Sequence, residues 1–216
     1  MKKVIVTGGA GFIGSNLVDR LIYMGVEVVI LDNLSTGKEN NVNPKAEFIK
    51  CDLTKDRPLF NDVDTVFHLA ATPQVQHSIE NPTDNNNIDS LINTLNLSKR
   101  SGVKYSDIYG LDTVCLRYFN VYGNRMSNEG AYKSVISVFK DQYNEKQPLN
   151  IVNDGEQKRD FVSVNDVIQT NILCATNPDT FKGNIYNIGT GTAYTVNEIA
   201  DMFGGEKQYS EERIEP

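Results

Sequence analysis

Residues 3–14 read KVIVTGGAGFIG, and this stretch decides the fold. The apolar, β-branched run Lys3 to Thr7 leads straight into three closely spaced glycines. Phe12 to Tyr23 follow with apolar residues at helical spacing. A strand, a glycine-rich turn and a helix in this order open a parallel α/β sheet. The turn contains GxGxxG as Gly9, Gly11 and Gly14, and TGxxGxxG as Thr7, Gly8, Gly11 and Gly14. Glycine is needed there because the turn is tight, because the backbone must approach a pyrophosphate with no Cβ in the way, and because helix and strand pack closely. The helix N-terminus then faces the anion. GxGxxG alone fits any glycine-rich turn, so the flanking elements and one further residue carry the reading. Asp32 ends the next apolar run, VEVVILD, 18 residues after Gly14. A carboxylate at that strand end accepts both ribose hydroxyls of an adenosine and repels a 2'-phosphate, so NAD is expected over NADP. The alternative for Asp32 is a surface turn residue.

Working outward, short Val/Ile-rich runs alternate with helical patterns: AEFIKCD, DTVFHLAA, a helix over Asn87 to Arg100, then TVCLRYF. The runs lack polar alternation, as expected for strands covered on both faces. Asp52 and the segment His68 to Ala71 fall at strand ends, the edge where open α/β sheets bind ligands. Asp52 could reach an adenine amino group. Ala70 and Ala71 would let a cofactor lie against the strand, or are simply tolerated in a packed turn. His68 reads as structural and His77 as a loop residue. After residue 120 come a polar loop, a helix over Tyr132 to Asn144, strand LNIV, the turn NDGEQKRD, strand FVSV, a helix from Asn165, strand NIYNIG and a helix from Val196. These form a smaller, partly interleaved second lobe.

The net charge of -7, from 28 acidic and 21 basic residues, argues against nucleic-acid and anionic-membrane partners, which need a basic face. No stretch approaches the ~20 apolar residues of a membrane span, and the apolar run of the N-terminus is too short for a signal peptide. Cys51, Cys115 and Cys174 are odd in number and sit in apolar runs, so buried free thiols and a cytoplasmic location are expected. No metal site is expected.

Taken in order, TGGAGFIG, LDNLSTG, CDL, VFHLAA with QVQHSIENP, LRYFNVYG, GEQKRDFVSVNDV and YNIGTG resemble the extended short-chain dehydrogenase/reductases. Within that group the likeness is to NAD-dependent nucleotide-sugar epimerases and dehydratases of the UDP-glucose 4-epimerase type. The resemblance implies a Rossmann doubly wound sheet over residues 1–118, with return segments around 160–188. It implies a nucleotide-sugar lobe over 119–158 and 189–216, incomplete at its C-terminal end. On the cofactor side it implies Gly8, Gly11, Phe12, Ile13 and Gly14 at the pyrophosphate turn. Asp32, Asn33, Ser35 and Gly37 would lie at the ribose, Asp52 and Leu53 at adenine, and Leu69, Ala70 and Ala71 at the nicotinamide. On the substrate side it implies Asn120 and Arg159 at the sugar diphosphate, a role that suits a guanidinium fork. Asn120 could instead cap a local turn, and Arg159 could pair with Asp160. The implied activity is epimerisation at C4 of a UDP-hexose by transient hydride transfer, in a homodimer. Dehydratase or decarboxylase chemistry on the same scaffold, and a catalytically silent binding module, remain as alternatives.

One departure stands out. The family follows the helix ending here at Gly102 with a strand bearing Ser/Thr and a helix beginning Tyr-x-x-x-Lys, whose Tyr is the general base. None of the ten tyrosines has Lys four residues later. In GVKYSDIYG, residues 102–110, two helix endings stand side by side and the second lacks its beginning, so residues are missing between Lys104 and Tyr105. Either the native protein carries a segment that this chain omits, which is the expectation, or a strand-helix unit has been deleted. Omission predicts that the Cα atoms of Lys104 and Tyr105 lie far beyond ~3.8 Å from each other. Deletion predicts that TVCLRYF moves up beside DTVFHLAA by one strand spacing, ~4.8 Å.

Overall fold

The computed structural model describes residues 1–56, 58, 62–71, 112–126 and 133–211. The predicted helix over Asn87 to Arg100, His77 and the Lys104–Tyr105 junction lie outside the described residues. The chain divides into two compact units, Met1–Arg117 with Val164–Tyr186, and Tyr118–Ser163 with Asn187–Pro216. The helices among the described residues are α1 (Phe12–Tyr23), α2 (Val135–Asn144), α3 (Val164–Thr176) and α4 (Val196–Phe203).

In the first unit, β1 (Lys3–Thr7), β2 (Glu27–Asp32), β3 (Glu47–Lys50) and β4 (Thr65–His68) form one parallel sheet in the order β3-β2-β1-β4. Val6 lies opposite Ile30 on one side and Phe67 on the other. Consecutive residues Val4, Ile5 and Val6, and Val28 through Leu31, are all buried, which explains why these strands show no polar alternation. The helix α1 turns Leu17, Val18 and Leu21 inward and ends at Met24. Gly25 follows at φ 80°, a left-handed position that glycine occupies without strain. Helix α3 packs beside α1. Between β2 and β3 the chain forms no α-helix, only a 3-10 turn over Glu39–Asn41.

The remaining strands are short: β5 (Cys115–Tyr118), β6 (Val121–Tyr122), β7 (Leu149–Val152), β8 (Lys158–Asp160), β9 (Val162–Ser163), β10 (Ile185–Ile188), β11 (Ala193–Thr195) and β12 (Lys207–Ser210). They pair two by two, β10 with β5, β11 with β8, β12 with β7 and β6 with β9. Among the described residues β5 therefore bonds to β10 and not to β4, contrary to the deletion expectation.

The second unit gathers Phe139 of α2, Leu149 and Ile151 of β7, Phe161, and Val196, Ile199 and Ala200 of α4 into one core. Phe139 meets Phe203 edge-on at 5.9 Å between ring centroids. Thr195 caps α4 by accepting from the Glu198 amide, while Glu198 accepts from the Thr195 amide. This reciprocal box fixes where the helix starts. The predicted turn NDGEQKRD contains strand β8, because Lys158–Asp160 pairs antiparallel with Ala193–Thr195. The predicted strand FVSV shrinks to two residues, since α3 already begins at Val164. The chain returns to the first unit at that residue. One thiol expectation is corrected: Cys51 is buried, Cys174 is half-buried, but Cys115 is exposed, and all three are free. Residues 115 and 117 of β5 both face outward, so the apolar look of TVCLRYF did not mean burial on both faces.

Candidate functional site

The turn after β1 is built so that backbone meets backbone. A Cβ on Gly14 would lie 2.2 Å from the Gly8 carbonyl oxygen, and one on Gly8, itself at φ 69°, would lie 2.8 Å from the Leu69 carbonyl group. Gly11 is the N-cap of α1 and offers no side chain to its first amides, nor does the first turn carry an acidic residue. An anion is the natural partner for those amides.

Next to the turn, the buried carboxylate of Asp32 accepts from the Ala10 amide through Oδ2 at 3.0 Å and from the Leu34 amide through Oδ1 at 2.8 Å. Gly8, Gly11, Asp32, Asn33, Ser35 and Thr36 line one side of an open cleft whose empty volume is about 610 Å³. Cys51, Asp52, Leu53 and Thr54 line it from the end of β3, and Leu69, Ala70 and Ala71 from the end of β4. The predicted cofactor residues are thus brought together, except that Phe12, Ile13, Gly14 and Gly37 support the cleft without lining it. Leu31, Thr36, Cys51 and Thr54 line the cleft outside the expected set; each is next to an expected residue, Asp32, Ser35, Asp52 and Leu53 respectively.

The predicted residue Asp52 has local duties. Asp52 Oδ1 accepts from the Thr54 amide at 3.0 Å and the Thr54 hydroxyl at 2.7 Å, and Oδ2 stands 3.3 Å from Lys55 Nζ. The Thr54 hydroxyl, helped by its amide and by Lys55, holds the Asp52 carboxyl below its ordinary pKa against the opposing effect of burial. Beside it, burial pushes the Cys51 thiol up to about 11, with Asp56, Asp32 and Asp52 adding to the effect, so this cysteine stays a neutral thiol.

His68 is explained by Thr7. The Thr7 hydroxyl accepts from the Leu69 and Ala70 amides, each at 3.1 Å, and lies 2.9 Å from His68 Nδ1. With both acceptor directions filled, its proton points to Nδ1, which leaves the imidazole proton on Nε2. Burial lowers the His68 pKa to about 4. The ring is a neutral structural group that ties the ends of β1 and β4.

In the second unit, Asn120 Nδ2 donates to the Asp160 carbonyl at 2.8 Å. The Asp160 carboxylate accepts from the amides of Thr190 and Gly191 at 3.0 and 2.9 Å, and from the Thr190 hydroxyl at 2.7 Å. The Thr190 amide is the first cause holding the Asp160 carboxyl below its usual pKa. The alternative pairing of Arg159 with Asp160 fails on geometry, because adjacent strand residues point to opposite faces. Arg159 is exposed, and its Nη1 donates to the Lys158 carbonyl at 2.9 Å. Among the described residues no cluster of His, Cys, Asp or Glu is arranged to hold a metal ion.

This geometry agrees with the comparisons. The pattern of the NAD dependent epimerase/dehydratase family matches residues 4–106 and 102–189. The chain belongs to that family, a class of Rossmann-fold enzymes that work with NAD. It is 37% identical to a putative UDP-glucose 4-epimerase of Methanocaldococcus jannaschii, over 97% of this chain and 86% of the relative. It is 29% identical to UDP-glucuronic acid decarboxylase 1 of Arabidopsis thaliana, over 93% of this chain and 57% of that protein. The crystal structure of UDP-glucose 4-epimerase from Thermotoga maritima, solved with UDP-glucose, superposes with a TM-score of 0.86 at 30% identity, over 98% of this chain and 86% of that one.

The archaeal alignment is 268 positions long yet uses 97% of a 216-residue chain, about 210 residues. The relative therefore has about 58 residues opposite no residue of this chain. The two matched pieces of the family pattern meet at residues 102–106, around the Lys104–Tyr105 junction.

The cleft fits the cofactor of the family. Its turn would be filled by any Cβ at Gly14, it presents uncapped helix amides to a pyrophosphate, and it sets a carboxylate where ribose hydroxyls would donate. No helix among the described residues is long and apolar enough to cross a membrane.

Proposed function

We propose that the protein is an NAD-dependent epimerase acting at C4 of a UDP-hexose of the UDP-glucose/UDP-galactose type. The observation that carries this reading is the combination of the Gly8–Gly14 cradle with the Asp32 carboxylate in a chain 37% identical to a putative UDP-glucose 4-epimerase. Gly8 and Gly11 let the backbone close on the pyrophosphate. Asp32 holds the adenosine ribose and excludes a 2'-phosphate. Leu69, Ala70 and Ala71 form the wall for the nicotinamide. NAD bound there supplies a reversible hydride acceptor, which C4 inversion without net oxidation requires. Asn120 and Arg159 are assigned to the sugar diphosphate, Arg159 because its exposed guanidinium has no carboxylate partner among the described residues.

The reaction also needs a group that takes the proton of the C4 hydroxyl. The Tyr-x-x-x-Lys pair that supplies it in the family is absent from these 216 residues. We assign it to a native segment between Lys104 and Tyr105, a reading supported by the about 58 residues of the relative that match no residue of this chain. The missing pair also motivates a second reading, a catalytically silent module that binds NAD or a sugar nucleotide. Intact mass and an interconversion assay decide together. An epimerase gives a native protein several kilodaltons heavier than 24.1 kDa that interconverts UDP-glucose and UDP-galactose. A native mass of 24.1 kDa with NAD bound and no turnover establishes the silent module. Turnover of a UDP-uronic acid with loss of carbon dioxide would replace the epimerase by a decarboxylase.

A further inference from the structure

Residues 33–46 run from the ribose carboxylate back to β3 with a 3-10 turn in place of a helix, so no apolar helix face holds them to the sheet. Polar contacts do so instead, and they converge on one residue, Ala10. The Ala10 amide donates to Asp32 Oδ2. Its carbonyl accepts twice, from the Lys38 amide at 3.0 Å and from Asn41 Nδ2 at 3.0 Å. Gly37 lies so close that a Cβ there would be 2.9 Å from the Ala10 Cβ and 3.1 Å from Asp32 Oδ1. Inside the same loop Leu34 is held at φ 61°, a left-handed backbone that costs a leucine energy and persists only where its surroundings enforce it. Its amide is one of the two donors on Asp32.

We infer that Asn41 is a positioning residue for the dinucleotide. Its amide latches the 33–41 loop onto the phosphate turn through the Ala10 carbonyl, which keeps Gly37, Leu34 and the Asp32 carboxylate in register for the ribose. Asn41 does not line the cleft, so its effect on affinity is indirect. A second asparagine provides the contrast. Asn43 anchors the same excursion farther along, donating to Asp19 on α1 at 2.7 Å. It holds the chain but not the Ala10 peptide.

The test compares Asn41→Leu, close in size but without a donor, with Asn43→Ala, each made in the whole chain. NAD and ADP-ribose are titrated by calorimetry, and exchange of the Lys38 amide is followed without ligand. One lost hydrogen bond predicts five- to tenfold weaker binding of both ligands for Asn41→Leu. Lys38 exchange rises in the same proportion, and Asn43→Ala stays within twofold of the parent. NAD binding within twofold in Asn41→Leu, or equal weakening by Asn43→Ala, overturns the latch. Asn41→Ser, smaller and unable to span the 3.0 Å contact, is read by the same criteria if the leucine variant does not fold. The inference rests on the dinucleotide reading of the cleft. A parent chain that binds neither ligand overturns that reading, and the Lys38 exchange rate still decides the latch.

Discussion

Replacing Gly14 by alanine sets two known effects against each other. Gly14 is in the first turn of α1, where alanine in place of glycine favours a helix by about 1 kcal/mol. Against this, the new methyl carbon would stand 2.2 Å from the Gly8 oxygen, 2.8 Å from the Gly8 carbonyl carbon and 2.9 Å from the Gly9 Cα. All three are backbone atoms of the phosphate turn, so no side chain can rotate away. Relief requires the turn to part from the helix by about 1 Å, and forced overpacking of this kind costs about 1–3 kcal/mol. The upper end applies because the obstacle is main chain, and the net expectation is a destabilisation of about 2 kcal/mol. Gly11→Ala is the matched control, since its Cβ would meet only the Gly8 oxygen, at 3.2 Å. Guanidinium unfolding of the two variants measures the stability difference. Calorimetry with NAD measures the displaced turn, and here Gly14→Ala is compared with the parent, because Gly11 itself lines the cleft; binding should be at least tenfold weaker. Equal unfolding free energies for the two variants, with NAD affinity of Gly14→Ala equal to that of the parent, would refute the reasoning.

Two further outcomes follow from the same cleft. Asp32→Asn removes the charge that opposes a 2'-phosphate while keeping an acceptor for the Ala10 amide; NAD should weaken about tenfold and NADP change little, so that their affinity ratio, read by parallel titrations, narrows. His68 is neutral when folded, with a pKa near 4 against about 6.5 unfolded, so the unfolded chain binds more protons below pH 6.5 and stability falls on acidification between about pH 6.5 and 4. Between pH 7.5 and pH 5 the folded state should lose up to about 2 kcal/mol relative to a His68→Asn variant, measured by urea unfolding at the two pH values; identical losses in parent and variant would contradict a buried neutral imidazole.

The first unit was legible because its signals are local. The run KVIVT, the glycines and the apolar spacing of Phe12 to Tyr23 name a strand, a turn and a helix without reference to the rest of the chain, and α1 spans that stretch. The same locality revealed Asp32 and the ends of β3 and β4. In the second unit the signals are tertiary. Lys158–Asp160 and Lys207–Ser210 are polar tracts of three and four residues that become strands only because Ala193–Thr195 and Leu149–Val152 lie alongside. No periodicity marks such segments. Asn41 was invisible for the same reason, since its partner Ala10 is 31 residues away. Asp52 shows a different limit: the strand-end position was read correctly, but the Thr54 hydroxyl two residues on, which takes one of its oxygens, was not considered.

The deletion alternative carries its own structural expectation. A chain that had simply lost the strand after β4 would bring the next strand, Cys115–Tyr118, onto the exposed edge of Thr65–His68. Parallel pairing there would satisfy backbone groups on both, and a right-handed crossover would permit it. Among the described residues the pairing does not form: β4 bonds to β1, and β5 bonds to β10. The Thr7–His68 tie and the Asp112 carboxylate, which accepts from the Phe181 and Lys182 amides, fix the two flanks independently of each other. Both flanks thus keep separate supports. Flanks anchored separately can accept a returning strand and helix without rebuilding the cleft, which is compatible with the proposed native segment, and the intact mass of the native protein tests that proposal.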